Sequence, residues 1–161
     1  MKNNMNWNFD NSYSRLSNAF KEHIEPIAVK NPELVLMNKD LVEELNLDFS
    51  KIDKNELAAL FTGNILPEGS NAIAQAYAGH QFGHFTMLGD GRAVLIGEHL
   101  TKNNERYDVQ FKGSGKTAFS RNGDGRAALG PMLREYIISE AMHNLNIPVS
   151  YTHLTLPTNK A

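Results

Sequence analysis

The sequence has 161 residues, 41% of them hydrophobic and 21% charged, with a formal net charge of −2 and no cysteine. This balance is typical of one soluble globular domain and argues against disorder, general nucleic-acid binding, disulfides and thiolate metal sites. No apolar run approaches the roughly 20 residues of a membrane span, and no signal-peptide core follows the first residues, so we expect a cytoplasmic protein without membrane contact.

Residues 1–70 predict scaffold rather than chemistry. In chain order, the predicted elements are a helical face of Tyr13, Leu16 and Phe20 that Pro26 ends, a strand at 33–37, a helix at 39–45 capped by Asn38, and a short helix begun by Asp53 with Glu56 and ended by Gly63.

A histidine pair follows, with His80 and His84 four residues apart. A metal pair is conceivable, but Gly79 and Gly83 weaken a helix here, and no glutamate occupies the position that a zinc protease requires. Packed or hydrogen-bonded histidines are the favoured interpretation, and we expect no metal ligands in this chain.

Three strands are predicted next. Apolar runs at 85–88 and 92–96 flank Gly89-Asp90-Gly91, and Asp-Gly between such runs is a strong hairpin signal. A turn at 103–104 leads into a strand at 107–112, in which large apolar residues alternate with polar ones and Lys112 lies on the polar face. Together the three strands predict an antiparallel meander.

A basic, glycine-rich loop connects Lys112 to the next helix. Between Lys112 and Arg134, five basic residues and five glycines face a single acid, Asp124. Glycines let backbone N–H groups approach an anion closely, so this loop is typical of a polyphosphate site. A solvated lysine followed by a flexible loop is the alternative. The pentapeptide Gly-Asp-Gly-Arg-Ala occurs at 89–93 and again at 123–127, which suggests two backbone loops at one polyphosphate.

The last predicted helix has Pro131 in its first turn, where a missing N–H costs nothing. Its predicted apolar face consists of Leu133, Tyr136, Ile137 and Ala141. Glu135 is predicted to be partly shielded and to need a cationic partner, for which Lys112 is the candidate, whereas Glu140 is predicted to be solvated. The alternative for Glu135 is an ordinary surface glutamate.

This order of elements is that of a protein-kinase N-lobe: a glycine turn, a strand lysine and a helix glutamate. The usual kinase strings are absent, because Val-Gln-Phe-Lys at 109–112 stands where Val-Ala-Ile-Lys is expected. The predicted fold class is α+β, a kinase-like N-lobe in which an antiparallel β-meander and a C-helix are joined by additional N-terminal helices.

Four strings closely resemble the selenoprotein O (SelO, YdiU-like) family. They are Ala-Tyr-Ala-Gly-His-Gln-Phe-Gly at 76–83, Leu-Gly-Asp-Gly-Arg-Ala at 88–93, Gln-Phe-Lys-Gly-Ser-Gly at 110–115, and the run at 120–136 that contains the second pentapeptide. Members of that family are kinase-fold (pseudokinase) enzymes that bind ATP in an inverted orientation and transfer AMP to protein hydroxyls.

The resemblance implies a role for particular residues. Gly89, Gly91 and Arg92 are expected to contact the nucleotide from the first loop, and Asp124 and Gly125 from the second. Lys112 is expected to bind phosphate and to pair with Glu135. The expected cofactors are ATP and Mg²⁺, and the expected partners are ATP and proteins with hydroxyl side chains.

The resemblance also implies that the chain is an N-terminal fragment, inactive alone, because the family's catalytic base and Mg²⁺ ligands lie beyond residue 161. Residues 1–149 are expected to form the nucleotide-binding part. Residues 150–161 do not resemble the family and are expected to be a read-through artefact, the alternative being a divergent strand. The competing functional hypothesis is a non-catalytic nucleotide-binding or scaffold module.

Overall fold

The computed structural model describes residues 5–81, 83–147 and 155–159. It is an α+β structure with antiparallel strands and few helices. Its strands are β1 (Lys21–His23), β2 (Pro32–Met37), β3 (Ile73–Gln81), β4 (His84–Gly89), β5 (Ala93–Leu100), β6 (Arg106–Lys112) and β7 (Thr155–Asn159), and its helices are α1 (Lys39–Glu44), α2 (Lys54–Thr62) and α3 (Leu129–Asn144).

The two short N-terminal helices begin and end as their cap residues predict. The Asn38 side chain accepts the Leu41 N–H at the start of α1, and the Asp53 side chain accepts two N–H groups at the start of α2. Gly63 ends α2 in the left-handed conformation, with φ +81°. These caps satisfy backbone groups that a helix terminus otherwise leaves unpaired.

The predicted helix around Tyr13 is wrong. Only a short 3-10 helix at Tyr13–Arg15 forms there, and β1 follows. The reason is a tertiary contact, since the buried Glu98 carboxylate accepts the Ser12 hydroxyl and the Tyr13 N–H, each at 2.6 Å. These bonds hold the start of the segment against β5, and the extended backbone at Leu16, with φ −67° and ψ 165°, ends the helical turn after Arg15.

The main sheet has the order β1-β3-β5-β6, and β4 also pairs with β3. The β5–β6 pairing is the one that the sequence predicts. The hairpin predicted around Gly89-Asp90-Gly91 is wrong, because β4 pairs back on β3 and then β5 pairs with β3 further along. Gly89 lies opposite Ala76 and Leu95 lies opposite Ile73. The glycine segment therefore connects β4 to β5, and these two strands pair with successive parts of β3 instead of with each other.

The hydrophobic core consists of buried side chains from β2, α1, the segment that follows α1, α2, β5 and β6. Phe61 of α2 packs against Phe111 of β6 with ring centroids 6.2 Å apart, and against Phe49 at 5.6 Å. Phe111 immediately precedes Lys112, so burial of the aromatic ring fixes the strand end that presents the lysine.

The apolar face predicted for α3 is partly wrong. Met132 is its buried residue, whereas Ile137 is 63% exposed. Two carboxylates orient the helix: Glu135 pairs with Lys112, and Glu140 accepts the Asn38 amide at 2.5 Å instead of lying in solvent. Because these contacts turn the Glu135 and Glu140 side toward the body of the domain, Ile137 faces outward.

Residues 155–159 belong to the segment predicted to be a tail. They form β7, which pairs antiparallel with β2, and Pro32 lies opposite Asn159. The remainder of the tail, residues 150–154 and 160–161, lies outside the described residues. Within the described part of the chain, no helix has both the length and the apolar character to cross a membrane.

Candidate nucleotide-binding site

The two Gly-Asp-Gly-Arg-Ala loops meet around one cavity of about 590 Å³. All five residues predicted to contact a nucleotide from these loops line it: Gly89, Gly91, Arg92, Asp124 and Gly125. The other lining residues are Met87, Leu88, Ala118, Phe119, Ser120, Arg121, Gly123 and Arg126. The structure therefore brings together two segments that are more than thirty residues apart in the sequence.

Backbone hydrogen bonds connect the segment that follows Lys112 to both loops. The Gly113 N–H donates to the Arg92 carbonyl at 2.7 Å, and the Gly115 N–H donates to the Gly125 carbonyl at 3.2 Å. Gly125 has φ +72°, and a Cβ there would lie 1.9 Å from the Gly115 carbonyl oxygen. A residue with a side chain cannot be accommodated at Gly125 without moving the backbone.

Charge around this cavity is mostly positive. Arg92, Arg121 and Arg126 line it, and Asp124 is the one acid among its described lining residues. The Asp124 carboxylate accepts the Arg126 N–H at 2.8 Å, which makes this acid part of the turn. Basic side chains and glycine amides around one concavity are suited to an anion.

Lys112 and Glu135 form the predicted ion pair. The Lys112 Nζ lies 2.8 Å from both Glu135 oxygens, and the two side chains are 36% and 37% exposed. β6 positions the lysine and the second turn of α3 positions the glutamate. Removing either partner is expected to release the other, because a charge-assisted pair restrains both side chains.

Lys112 does not line the cavity of the glycine loops. It lines a smaller one of about 290 Å³, together with residues of α2 and the start of α3. Arg126 lines both cavities, and its guanidinium donates to the Ile27 carbonyl at 3.1 Å. The predicted site residues thus fall on two adjacent concavities with Arg126 at their boundary.

Asp90, the middle residue of the first loop, points away from the cavity. It is 5% exposed, and its carboxylate accepts the Gln75 N–H at 3.0 Å and the Gln110 amide at 3.4 Å. Burial raises the pKa of the Asp90 carboxyl, and these hydrogen bonds oppose the rise. Sequence analysis assigned Asp90 to a hairpin turn and missed this anchoring contact, for which an aspartate between two glycines gives no signal.

The histidine pair lies on the β3–β4 hairpin. His80 is on β3, where its ring packs edge-on against Phe85 with centroids 5.3 Å apart, and His84 is on β4. Among the residues that the structure describes, no group of three or more histidines, aspartates or glutamates could hold a metal ion.

The class of protein that these features define is an α+β domain in which two glycine- and arginine-rich loops surround an anion-compatible cavity. The model of the family described as "Protein adenylyltransferase SelO" matches residues 3–160. The chain belongs to this family, and the match confirms the resemblance that was predicted from the four strings.

Curated relatives carry the name "Protein nucleotidyltransferase YdiU". The chain is 70% identical over 154 residues to that of Pelagibacter ubique, 62% over 144 residues to that of Nitrosococcus oceani, and 57% over 157 residues to that of Anoxybacillus flavithermus. These matches cover 96%, 89% and 98% of this chain and 32%, 29% and 33% of the relatives. The chain therefore spans about a third of the length of its relatives, which form a family of protein nucleotidyltransferases.

Proposed function

We propose that this chain is the ATP-binding part of a protein adenylyltransferase, which transfers AMP from ATP to serine, threonine or tyrosine hydroxyls of proteins. The observation that carries the proposal is the meeting of both Gly-Asp-Gly-Arg-Ala loops around one cavity, within a chain of this family. Because the reaction consumes ATP, we expect the protein in the cytoplasm.

In this proposal, the first loop, the second loop and Lys112 each contribute different groups to phosphate binding. Gly89 and Gly91 let the backbone approach a polyphosphate, and Arg92 adds a cation from the same loop. Gly125, held in its left-handed conformation, and Asp124 border the same cavity from the second loop. Lys112, oriented by Glu135, supplies a second cation from the neighbouring concavity.

We expect the distribution of positive charge around the cavity to decide which phosphate is attacked. The proposed fold is a kinase-like N-lobe, and ordinary kinases lack the arginine-rich loop after the strand lysine. Arg121 and Arg126 of that loop line the cavity, and we expect them to bind the β- and γ-phosphates of an inverted nucleotide, which would leave the α-phosphate open to a hydroxyl. Attack there forms a phosphodiester to AMP and releases pyrophosphate, and positioned cations stabilise the charge that develops.

We assign no magnesium ligand to the described residues. Mg²⁺ in nucleotide sites is held by one or two carboxylates together with phosphates. Among the described residues lining the larger cavity, Asp124 is the one acid, and its carboxylate accepts the Arg126 N–H. The proposal therefore assigns to this chain the binding and orientation of the phosphates, and it assigns no metal ligand.

The test uses a chimera in which this chain, up to residue 147, replaces the matching segment of the Pelagibacter ubique relative. We expect protein-bound label from ATP labelled at the α-phosphate and none from ATP labelled at the γ-phosphate. Label from the γ-phosphate alone would show an ordinary kinase. A chimera that binds ATP without transferring label would favour a non-catalytic nucleotide-binding module.

Two controls make the assay specific. Lys112→Ala in the chimera is expected to lower labelling strongly, because the phosphates lose a positioned cation. The 161-residue chain alone is expected to bind ATP weakly and to transfer nothing. Turnover by this chain alone would overturn the assignment of catalysis to the remaining two thirds of the relatives' length.

A further inference from the structure

Three consecutive residues of the first loop are contacted one by one from the turn at residues 117–120. The Phe119 ring covers Gly89 so closely that a Cβ on Gly89 would lie 2.4 Å from it. The Thr117 hydroxyl donates to the Asp90 carbonyl at 2.5 Å, and the Ser120 hydroxyl donates to the Gly91 carbonyl. The Arg92 guanidinium adds a longer bond from the first loop to the second, donating to the Arg126 carbonyl at 3.5 Å.

The turn that carries the two hydroxyls is itself held by hydrogen bonds between Thr117 and Ser120. The Thr117 N–H donates to the Ser120 hydroxyl at 2.7 Å, and the Ser120 N–H donates to the Thr117 carbonyl at 3.2 Å. Thr117 is 4% exposed, so water does not compete for its contact with Asp90. A buried hydroxyl of this kind holds its acceptor in a single orientation.

Fixing a carbonyl also fixes the amide that follows it. In a trans peptide the C=O and the next N–H point in opposite directions. Thr117 therefore sets the direction of the Gly91 N–H, and Ser120 sets that of the Arg92 N–H. In the part of the chain that the structure describes, neither N–H donates to a protein acceptor.

We propose that Thr117 and Ser120 are positioning residues for nucleotide binding: their hydroxyls hold the Asp90 and Gly91 carbonyls so that the Gly91 and Arg92 amides are aimed at the phosphates. The inference rests on the proposed function, because it assumes that the cavity takes a polyphosphate. It adds two residues that act through the backbone of the first loop: Thr117, which does not line the cavity, and Ser120, which lines it and holds the Gly91 carbonyl.

The test is an NMR titration of the 161-residue chain with ATP and, separately, with inorganic tripolyphosphate. Thr117→Val keeps the shape and removes the hydroxyl. We expect this substitution to lower the affinity for each ligand about three- to tenfold, the equivalent of one neutral hydrogen bond. We also expect smaller ligand-induced changes in the chemical shifts of the Gly91 and Arg92 amides. Thr117→Ser, which keeps the hydroxyl, is expected to retain both the parent affinities and the parent changes in chemical shift. Ser120→Ala, at a partly exposed position, gives the same test if Thr117→Val does not fold.

Thr101→Val is the matched control. Thr101 is 3% exposed, and its hydroxyl also engages backbone groups, but in the turn between β5 and β6. It is expected to lower stability without changing affinity for either ligand. If Thr117→Val binds the ligands as tightly as the parent, or if Thr101→Val loses as much affinity, the inference is overturned while the proposed function stands. Failure of the parent chain to bind either ligand at millimolar concentration would overturn the proposed function for this chain, and the inference with it.

Discussion

Replacing Glu135 with alanine tests whether the helix glutamate acts on the nucleotide through Lys112. Both carboxylate oxygens of Glu135 lie 2.8 Å from the Lys112 Nζ. If Lys112 binds phosphate, Glu135→Ala weakens ATP binding although the carboxylate itself contacts no phosphate, because the lysine loses the partner that orients it.

The magnitude follows from the exposure of the pair. A buried charge-assisted hydrogen bond contributes about 1.5–3 kcal/mol, whereas exposed pairs contribute about 0.2–1 kcal/mol. With side chains 36% and 37% exposed, solvent screens this pair, and the upper part of the exposed range applies. We therefore expect a loss of about 1 kcal/mol, or about fivefold in the dissociation constant for ATP.

The assay is a double-mutant cycle. Dissociation constants for ATP are measured by NMR titration for the parent, Glu135→Ala, Lys112→Ala and the double variant, and thermal midpoints verify folding. Glu135→Ala is expected to have little further effect once Lys112 is absent. Glu140→Ala is the matched control, because Glu140 lies on the same helix but accepts from the neutral Asn38 amide. Additive effects, or an equal loss in Glu140→Ala, would refute the coupling.

Three further predictions concern stability. The break in sequence pattern predicts that deleting residues 150–161 lowers the thermal midpoint by no more than a few degrees; a larger drop would show that β7 is an integrated partner of β2. Gly125→Ala is expected to destabilise the chain by more than about 1 kcal/mol and to weaken ATP binding, because its φ is +72° and a Cβ would meet the Gly115 carbonyl. Gly79→Ala, where a Cβ meets nothing within 4 Å, is its control in the same urea titrations, and equal losses would contradict the explanation. Burial lowers the pKa of His99, so the unfolded state binds more protons below the ordinary value of about 6.5, and the free energy of unfolding is expected to fall as pH decreases below it. Urea unfolding of the parent and of His99→Gln between about pH 8 and 5 measures how the free energy of unfolding depends on pH. The same dependence in the variant would mean that another group causes it.

His99 also illustrates why local sequence does not reveal a titration site. Its ring is 1% exposed, with Nε2 2.8 Å from the Leu45 carbonyl and Nδ1 accepting the Asn8 N–H. Both nitrogens are satisfied only in the neutral ring, because a second proton would take the Nδ1 acceptor position. These partners come from segments that are 54 and 91 residues away.

Features that depend on neighbouring residues could be predicted from the sequence. The caps at Asn38 and Asp53 and the left-handed Gly63 need only a few adjacent positions, and the structure contains all three. The Lys112–Glu135 contact was also predicted, because a partly shielded glutamate needs a cationic partner and a strand lysine followed by a helix glutamate is the order of a kinase N-lobe. Family membership could also be predicted from the sequence, because the chain shares several long strings with the family.

What only the tertiary structure decided is which surfaces meet. Asp-Gly at 90–91 has the composition of a hairpin turn, but β3 is long enough to pair with β4 and β5 in succession, so the segment interrupts two strands instead of joining a hairpin. Ile137 has the spacing of a core residue, yet the Glu135 and Glu140 contacts turn it outward. Thr117 reads as an ordinary loop residue, and its contact with the Asp90 carbonyl exists because the fold brings two loops together across 27 residues. Pairing, burial and loop contact each depend on partners distant in the chain, and for that reason local pattern does not encode them.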